Sequence, residues 1–178
     1  LLTEALRKRR KGQIGRSWDV DETYLKVAGQ WQSLYRAIDT NGNLVDVFLS
    51  ATRDQAAAEA FFRSAVAVTG IIPETITSDK HAGYPPALDA VFGADVERRT
   101  SKYKNNHLGQ DHRGVKGRTR PMRGFKSAVS AARFCRAHDE VRNALRPVAW
   151  RKQHVLAARR WAIHVQRVAA LHDMLAVA

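Results

Sequence analysis

Sulfur is scarce in this chain of 178 residues, which has one cysteine, Cys135, and two methionines. A single thiol excludes a disulfide framework and a cysteine-built zinc cluster. No run of about eighteen apolar residues occurs, so no membrane-spanning helix is expected. The start, Leu1-Leu2-Thr3-Glu4, has no apolar stretch of the signal-peptide kind. A cytoplasmic location is the expectation. No phosphate-binding glycine loop, dinucleotide glycine run or Ser-His-Asp order is present. The seven histidines show no metal-ligand spacing. Acids are the scarce charge, 17 against 30 lysines and arginines. Hydrophobic residues at 44% and charged residues at 26% suit one folded domain with a real core.

The charge is unevenly spread. Residues 1–16 hold six basic groups and one acid, and residues 17–97 hold five basic groups and twelve acids. Residues 98–126 hold ten basic groups and one acid, Asp111. Residues 127–178 hold nine basic groups and three acids. Basic surfaces of this density attract phosphate backbones. The acidic centre is the anomaly, because carboxylates facing DNA repel it unless divalent cations sit between.

The chain predicts a mixed five-stranded α/β sheet flanked by helices, in the order β-β-β-α-β-α-β-α, plus a C-terminal helical extension. Residues 3–11 read as a short basic helix or arm, broken by Gly12. Three strands follow over 17–50, with Asn41-Gly42 as a hairpin turn. Thr52-Arg-Asp-Gln55 has the capping-box form ahead of a helix. Glu74–Ser78 is a short strand leading to Asp79, and 95–100 a last strand. Residues 105–117 suit a helix despite Gly109 and Gly114. Ser127 is the expected N-cap of a helix from 128 to 145, stopped by Pro147. A long helix over 148–177 would carry Leu156, Ile163, Ala170 and Val177 at heptad spacing. The organisation is thus a basic segment over 1–16, a core over 17–147 and a C-terminal helix over 148–178.

Asp21 lies within the first strand and Asp79 just past the end of the fourth. Two such acids in an apolar setting repel each other unless a cation joins them. Oxygen ligands select Mg²⁺ or Mn²⁺, and a pair of such ions suits phosphodiester chemistry.

At these residues the chain resembles the catalytic domain of IS6-group bacterial insertion-sequence transposases, which have a ribonuclease-H-like fold and a DDE active site. The carriers are Trp18-Asp-Val-Asp-Glu-Thr-Tyr-Leu-Lys26, Leu34-Tyr-Arg-Ala-Ile-Asp39 with Gly42, Arg53-Asp54 with Ala57-Ala58, and Thr77-Ser-Asp-Lys80 with Tyr84. They continue with Tyr103-Lys-Asn-Asn106, Gln110-Asp-His-Arg113 with Lys116, and Gly124-Phe-Lys-Ser127.

The resemblance implies Asp21 and Asp79 as the first two acids of the triad. The third is expected as Glu in a run Asn-Asn-x-x-Glu-Gln-Asp-His. This chain reads Asn105-Asn-His-Leu-Gly109-Gln-Asp-His112, so Gly109 stands at that position. Glycine has no ligand atom, so a two-metal Mg²⁺ or Mn²⁺ site would be weakened and strand transfer impaired. The resemblance also implies DNA as partner (transposon ends and target), a homodimer or higher assembly, and a cytoplasmic, nucleoid-associated location. Lys80, Lys102, Lys104, Asn105, Asn106, Arg113, Lys116, Arg118, Arg120, Arg123 and Lys126 are the expected DNA contacts, fixing the backbone rather than reading sequence. Residues 1–16 read as the remainder of a DNA-reading segment. The competing expectations are a non-catalytic DNA-binding relic or regulator, and a nuclease acting on a hybrid duplex.

Overall fold

The computed structural model describes residues 2–79, 81–100, 106–148 and 153–176, with 106–111 as backbone. Its elements are α1 (Leu2–Arg10), β1 (Ser17–Val27), β2 (Gln30–Asp39), β3 (Leu44–Ser50), α2 (Gln55–Thr69), β4 (Thr75–Ser78), α3 (Tyr84–Phe92), β5 (Glu97–Thr100), α4 (Asn106–Thr119), α5 (Ala128–Leu145) and α6 (Ala157–Ala176). The sheet order is β3-β2-β1-β4-β5. Strands β1, β2 and β3 form an antiparallel meander, while β4 and β5 run parallel to β1. This is the mixed sheet that the sequence predicts.

Both faces of the sheet are covered, and the two-residue period of a strand assigns side chains to them. On one face Trp18, Val20, Tyr35 and Ala37 pack with Phe61 and Phe62 of α2 and Tyr84 and Leu88 of α3. On the other, Leu25, Val27 and Leu34 pack with Val115 of α4 and Ala131 and Cys135 of α5. Cys135 is a core residue, and burial pushes its thiol up to about 12.

The β1–β2 connection is a two-residue turn with Ala28 at φ 49° and Gly29 at φ 82°. Primed hairpin turns need this left-handed backbone. The cap of α2 differs from the expected Thr52 box. Asp54 is the N-cap, and its carboxylate accepts from the Ala57 amide at 2.8 Å. A carboxylate also complements the positive end of the helix. Ser127 caps α5 as predicted, accepting from Ser130 N at 3.2 Å.

Two buried ion pairs tie α5 to the rest. Arg36 of β2 pairs with Asp139, and Arg10 of α1 pairs with Glu140. Arg10 also donates to the carbonyls of Leu44 and Val45 at 2.6 and 2.7 Å. The first segment is therefore a helix docked on the domain, with Arg7 turned inward to Asp46 at 3.3 Å.

The C-terminal helix is shorter than predicted, because residues 153–156 are not helical and α6 starts at Ala157. Its partly covered stripe is Ile163, Arg167, Leu171 and Met174, not the heptad set with Ala170. Arg167 donates to the carbonyls of Ala144 and Arg146 at the end of α5, taking up orphan acceptors of that helix.

Candidate active site

The site arises from a mismatch of strand lengths. Strand β1 has eleven residues, yet β4 pairs only with Ser17–Asp19. Further along the same edge, Phe125 bridges Val27. Between these contacts lies an edge of β1 that carries Asp21 and Glu22. Their side chains start on opposite faces of the sheet, and Asp79 follows the end of β4 beside them. Carboxylate oxygens of Asp21, Glu22 and Asp79 lie within 4.8 Å of one another.

Each acid has a different setting. Asp21 pairs across β1–β2 with Arg36, whose guanidinium turns away to Asp139. Burial first, then the charge of Glu22, raises the Asp21 carboxyl to about 6; Asp79 adds to the rise and Arg53 opposes it. Glu22 is nearly enclosed and is held by Arg53 and by the Tyr84 hydroxyl. Arg53 also approaches Asp79 at 3.6 Å and lies 5.9 Å from the Tyr24 ring centre. Asp79 accepts from the His81 amide at 2.9 Å.

Helix α4 borders the cluster on the Asp21 side. His112 is buried and places Nδ1 3.9 Å from Asp21 Oδ2. Among the described residues its Nε2 has no partner. Burial, then the charges of Arg36 and Lys116, lowers its pKa to about 3. It is therefore a neutral imidazole against a carboxylate, not an ion pair. Gly109 lies three residues before His112 on α4, so the two share a face of the helix.

Of the residues singled out by sequence, Asp21 and Asp79 meet. Lys116, Arg120 and Arg123 line one cleft with Tyr24 and Trp31. Arg118 lines a different cavity, with Arg142 and His138, and so departs from the expected common basic surface. Arg113 and Lys126 are exposed, Asn106 opens α4, and Lys80, Lys102, Lys104 and Asn105 lie outside the described residues. Glu22, Arg53 and Tyr84 join the cluster although sequence reasoning gave them no role, while His112, on the Gly109 face of α4 and a poor Mg²⁺ ligand by its chemistry, stands against Asp21. Glu22 adjoins Asp21 in sequence, and on a strand adjacent side chains normally diverge, which hides their convergence.

The donor set suits a divalent cation. Three carboxylates converge on oxygen-rich space with one arginine between them, and the strongest consequence is the unfavourable ionisation of Asp21. A raised folded-state pKa means that protonated Asp21 favours the fold. That advantage is complete below about pH 4 and is lost as pH rises through 6. Ionised Asp21 costs about 1–2 kcal/mol at neutral pH once solvent screening is allowed for. Asp21→Asn should thus raise Tm in EDTA at pH 7.5 by roughly 2–8 °C and leave it nearly unchanged at pH 4. Thermal melts at both values check this; a lower Tm at pH 7.5 would contradict it.

A cluster of acids on the open edge of this mixed sheet, between parallel β4 and helix α4, marks a DDE-type transposase catalytic domain. The DDE domain family named for IS240 transposases matches residues 15–147, about three quarters of the chain. The chain belongs to that family, within the IS6 group. It is 36% identical over 115 residues to the Staphylococcus aureus transposase for insertion sequence-like element IS431mec, covering 62% of this chain and 51% of that protein. The same figures hold for the S. aureus transposase of IS257 in transposon Tn4003. An uncharacterised Yersinia pseudotuberculosis protein, pYV0051, is 31% identical over 88 residues, 48% of this chain and 82% of that one. The chain spans about half the length of the curated transposases it matches. Among solved structures, the HTLV-2 integrase catalytic core with magnesium aligns with TM-score 0.54 at 14% identity, over 86% of this chain and 99% of that one. The BIV integrase catalytic core gives the same score and identity over 89% and 99%. At such identity these likenesses speak for the fold, which is that of integrase cores.

Proposed function

We propose that the chain is the phosphoryl-transfer domain of a transposase that cuts and joins DNA, impaired at its third acidic position by Gly109. The observation that carries this is the meeting of Asp21 and Asp79, 58 positions apart in the chain, at one carboxylate cluster. Asp21 and Asp79 would hold Mg²⁺ or Mn²⁺, which when bound supplies a lowered pKa for the attacking hydroxyl and takes up charge on the leaving oxygen.

The protein's own side chains do the rest. Arg53 and Tyr84 hold Glu22, and because Arg53 also reaches Asp79 at 3.6 Å, a cation bound by Asp21 and Asp79 would take over part of that guanidinium's role. His112 closes the α4 side with an uncharged ring and shields Asp21 from water. Lys116, Arg120 and Arg123 bind backbone phosphates beside the acids, orienting the strand without reading its sequence. The natural partner is DNA, with self-association on paired ends and a cytoplasmic location. Among the described residues, no helix is long and apolar enough to cross a membrane.

Gly109 favours a second reading, a DNA-binding subunit or relic without catalysis. A gel-shift titration with duplex DNA tests the property common to both. Affinity should fall about 10²-fold or more between 50 and 200 mM salt if four or more phosphates are contacted. Salt-independent binding would refute the phosphate contacts. Joining assays with Mn²⁺ then separate the two: the relic joins no DNA even when Gly109 is replaced by Glu.

A further inference from the structure

Beyond the acids, the edge of β1 leads into a second cavity of about 720 Å³. Tyr24, Trp31, Lys116, Arg120, Arg123 and Phe125 line it. Its volume lies within the roughly 300–1,000 Å³ typical of ligand sites. Two of its rings are unusually open for aromatic residues. Trp31 is 65% exposed and Tyr24 44% exposed. Phe125, by contrast, is buried against Phe134 and forms the fixed floor. Lys116, Arg120 and Arg123 are exposed cations at the rim.

The wall is built by a close approach of two backbones. Phe125 N donates to the Lys26 carbonyl at 3.0 Å, and Ala28 N donates to the Phe125 carbonyl at 2.6 Å. Gly124, at φ 86°, permits this, since a Cβ there would meet Lys26 O at 2.9 Å. The preceding Arg123 also has a left-handed backbone, φ 54°. The loop after α4 is therefore pinned to the free edge of β1, which puts Arg120 and Arg123 in the same cavity as the rings.

The cavity lies further along β1 from the acid cluster. Tyr24 lies three residues along β1 from Asp21, about 10 Å at the rise of a strand. Arg53 lies over the Tyr24 ring and reaches Asp79 at 3.6 Å. A strand whose phosphate sits at the acids would bring a neighbouring nucleotide to these rings. Exposed rings beneath a cationic rim fit a base and its phosphate: every base has a π face, and the cations take the backbone.

We propose that this cavity binds an unpaired nucleotide of the DNA strand being processed, its base stacked on Trp31 and Tyr24 and its phosphate held by the basic rim. The proposal rests on the reading of the acids as a DNA-processing site and adds a subsite to it.

The test compares a blunt duplex with the same duplex bearing a three-nucleotide single-stranded extension, by fluorescence anisotropy in EDTA. The wild-type chain should bind the extended duplex about tenfold more tightly, as expected for a stacked base. Trp31→Ala should erase the preference and Trp31→Phe should keep most of it. Abasic nucleotides in the extension should also erase it. Equal affinity of the wild-type chain for both duplexes would overturn the proposal, as would an undiminished preference in Trp31→Ala. A Trp31→Ala change that shifts sedimentation of the DNA-free chain to a smaller species would overturn it too, making this face an interface with a second copy. If the subsite alone is wrong, duplex binding and Mn²⁺ binding at the acids persist. If the functional reading is wrong, Mn²⁺ binding is insensitive to Asp21→Asn.

Discussion

Gly109→Glu should raise Mn²⁺-dependent strand transfer by at least about 100-fold. Residues that merely orient a metal ligand are worth about 10–100-fold in affinity or activity, so supplying an absent ligand should reach the upper figure. Gly109 is on α4, one turn before His112, and His112 faces Asp21 at 3.9 Å. A glutamate at 109 would start from the face of α4 that borders the acid cluster. Its longer side chain can reach a cation there, which glycine cannot. The substitution also helps the helix, since glycine costs about 1 kcal/mol in a helix interior. Joining of a labelled 3′-hydroxyl end to a supercoiled target, for the chain and the variant side by side, checks this. Equal joining by both would mean that the third acid lies elsewhere.

The second large effect concerns stability. Asp139→Ala should destabilise the fold by about 3–5 kcal/mol, because it leaves the buried Arg36 guanidinium without its partner. Among the described residues, one nitrogen of Arg36, Nη1, already lacks a partner. The neighbouring pair should behave differently. Burial raises the Asp139 carboxyl, but Arg36 and His138 outweigh this and hold it below the ordinary range. Glu140 is left raised by burial despite Arg10. Ionised Asp139 thus stabilises the fold above about pH 4 and loses that contribution as pH falls further. Glu140→Gln should cost far less than Asp139→Ala at pH 7. Urea unfolding of the two variants at pH 7 measures the difference; equal losses would contradict the ranking.

Much of the fold was legible. Runs rich in Trp, Tyr, Val, Ile and Thr mark the meander, Asn41-Gly42 its second turn, and Ser127 and Pro147 the limits of α5. The T-x-x-Q pattern points to Thr52 as the α2 cap, but the structure selects Asp54, one residue before the helix, whose carboxylate reaches the Ala57 amide. The C-terminal helix was read too long, since the alanines favour helix while nothing in 153–156 forbids it. The stripe it turns inward follows 3.6-residue spacing and includes Arg167, whose value is in capping α5 rather than in apolar contact.

The site divides in the same way. Asp21 and Asp79 were legible from their places at strand positions and from family resemblance. Glu22 and Arg53 were not, because their places depend on the short pairing of β4, which frees an edge of β1. Strand pairing length is a tertiary property, and no local pattern encodes it. Of the basic residues on and after α4, Lys116, Arg120 and Arg123 line one cavity, while helical geometry sends Arg118 to another.

Calorimetric titration of Mn²⁺ into the chain, Asp21→Asn and Asp79→Asn at pH 7.5 tests most directly whether these two side chains share a cation. Binding to the chain, weakened at least tenfold in each variant, is the expected result. Identical isotherms for all three proteins would contradict it.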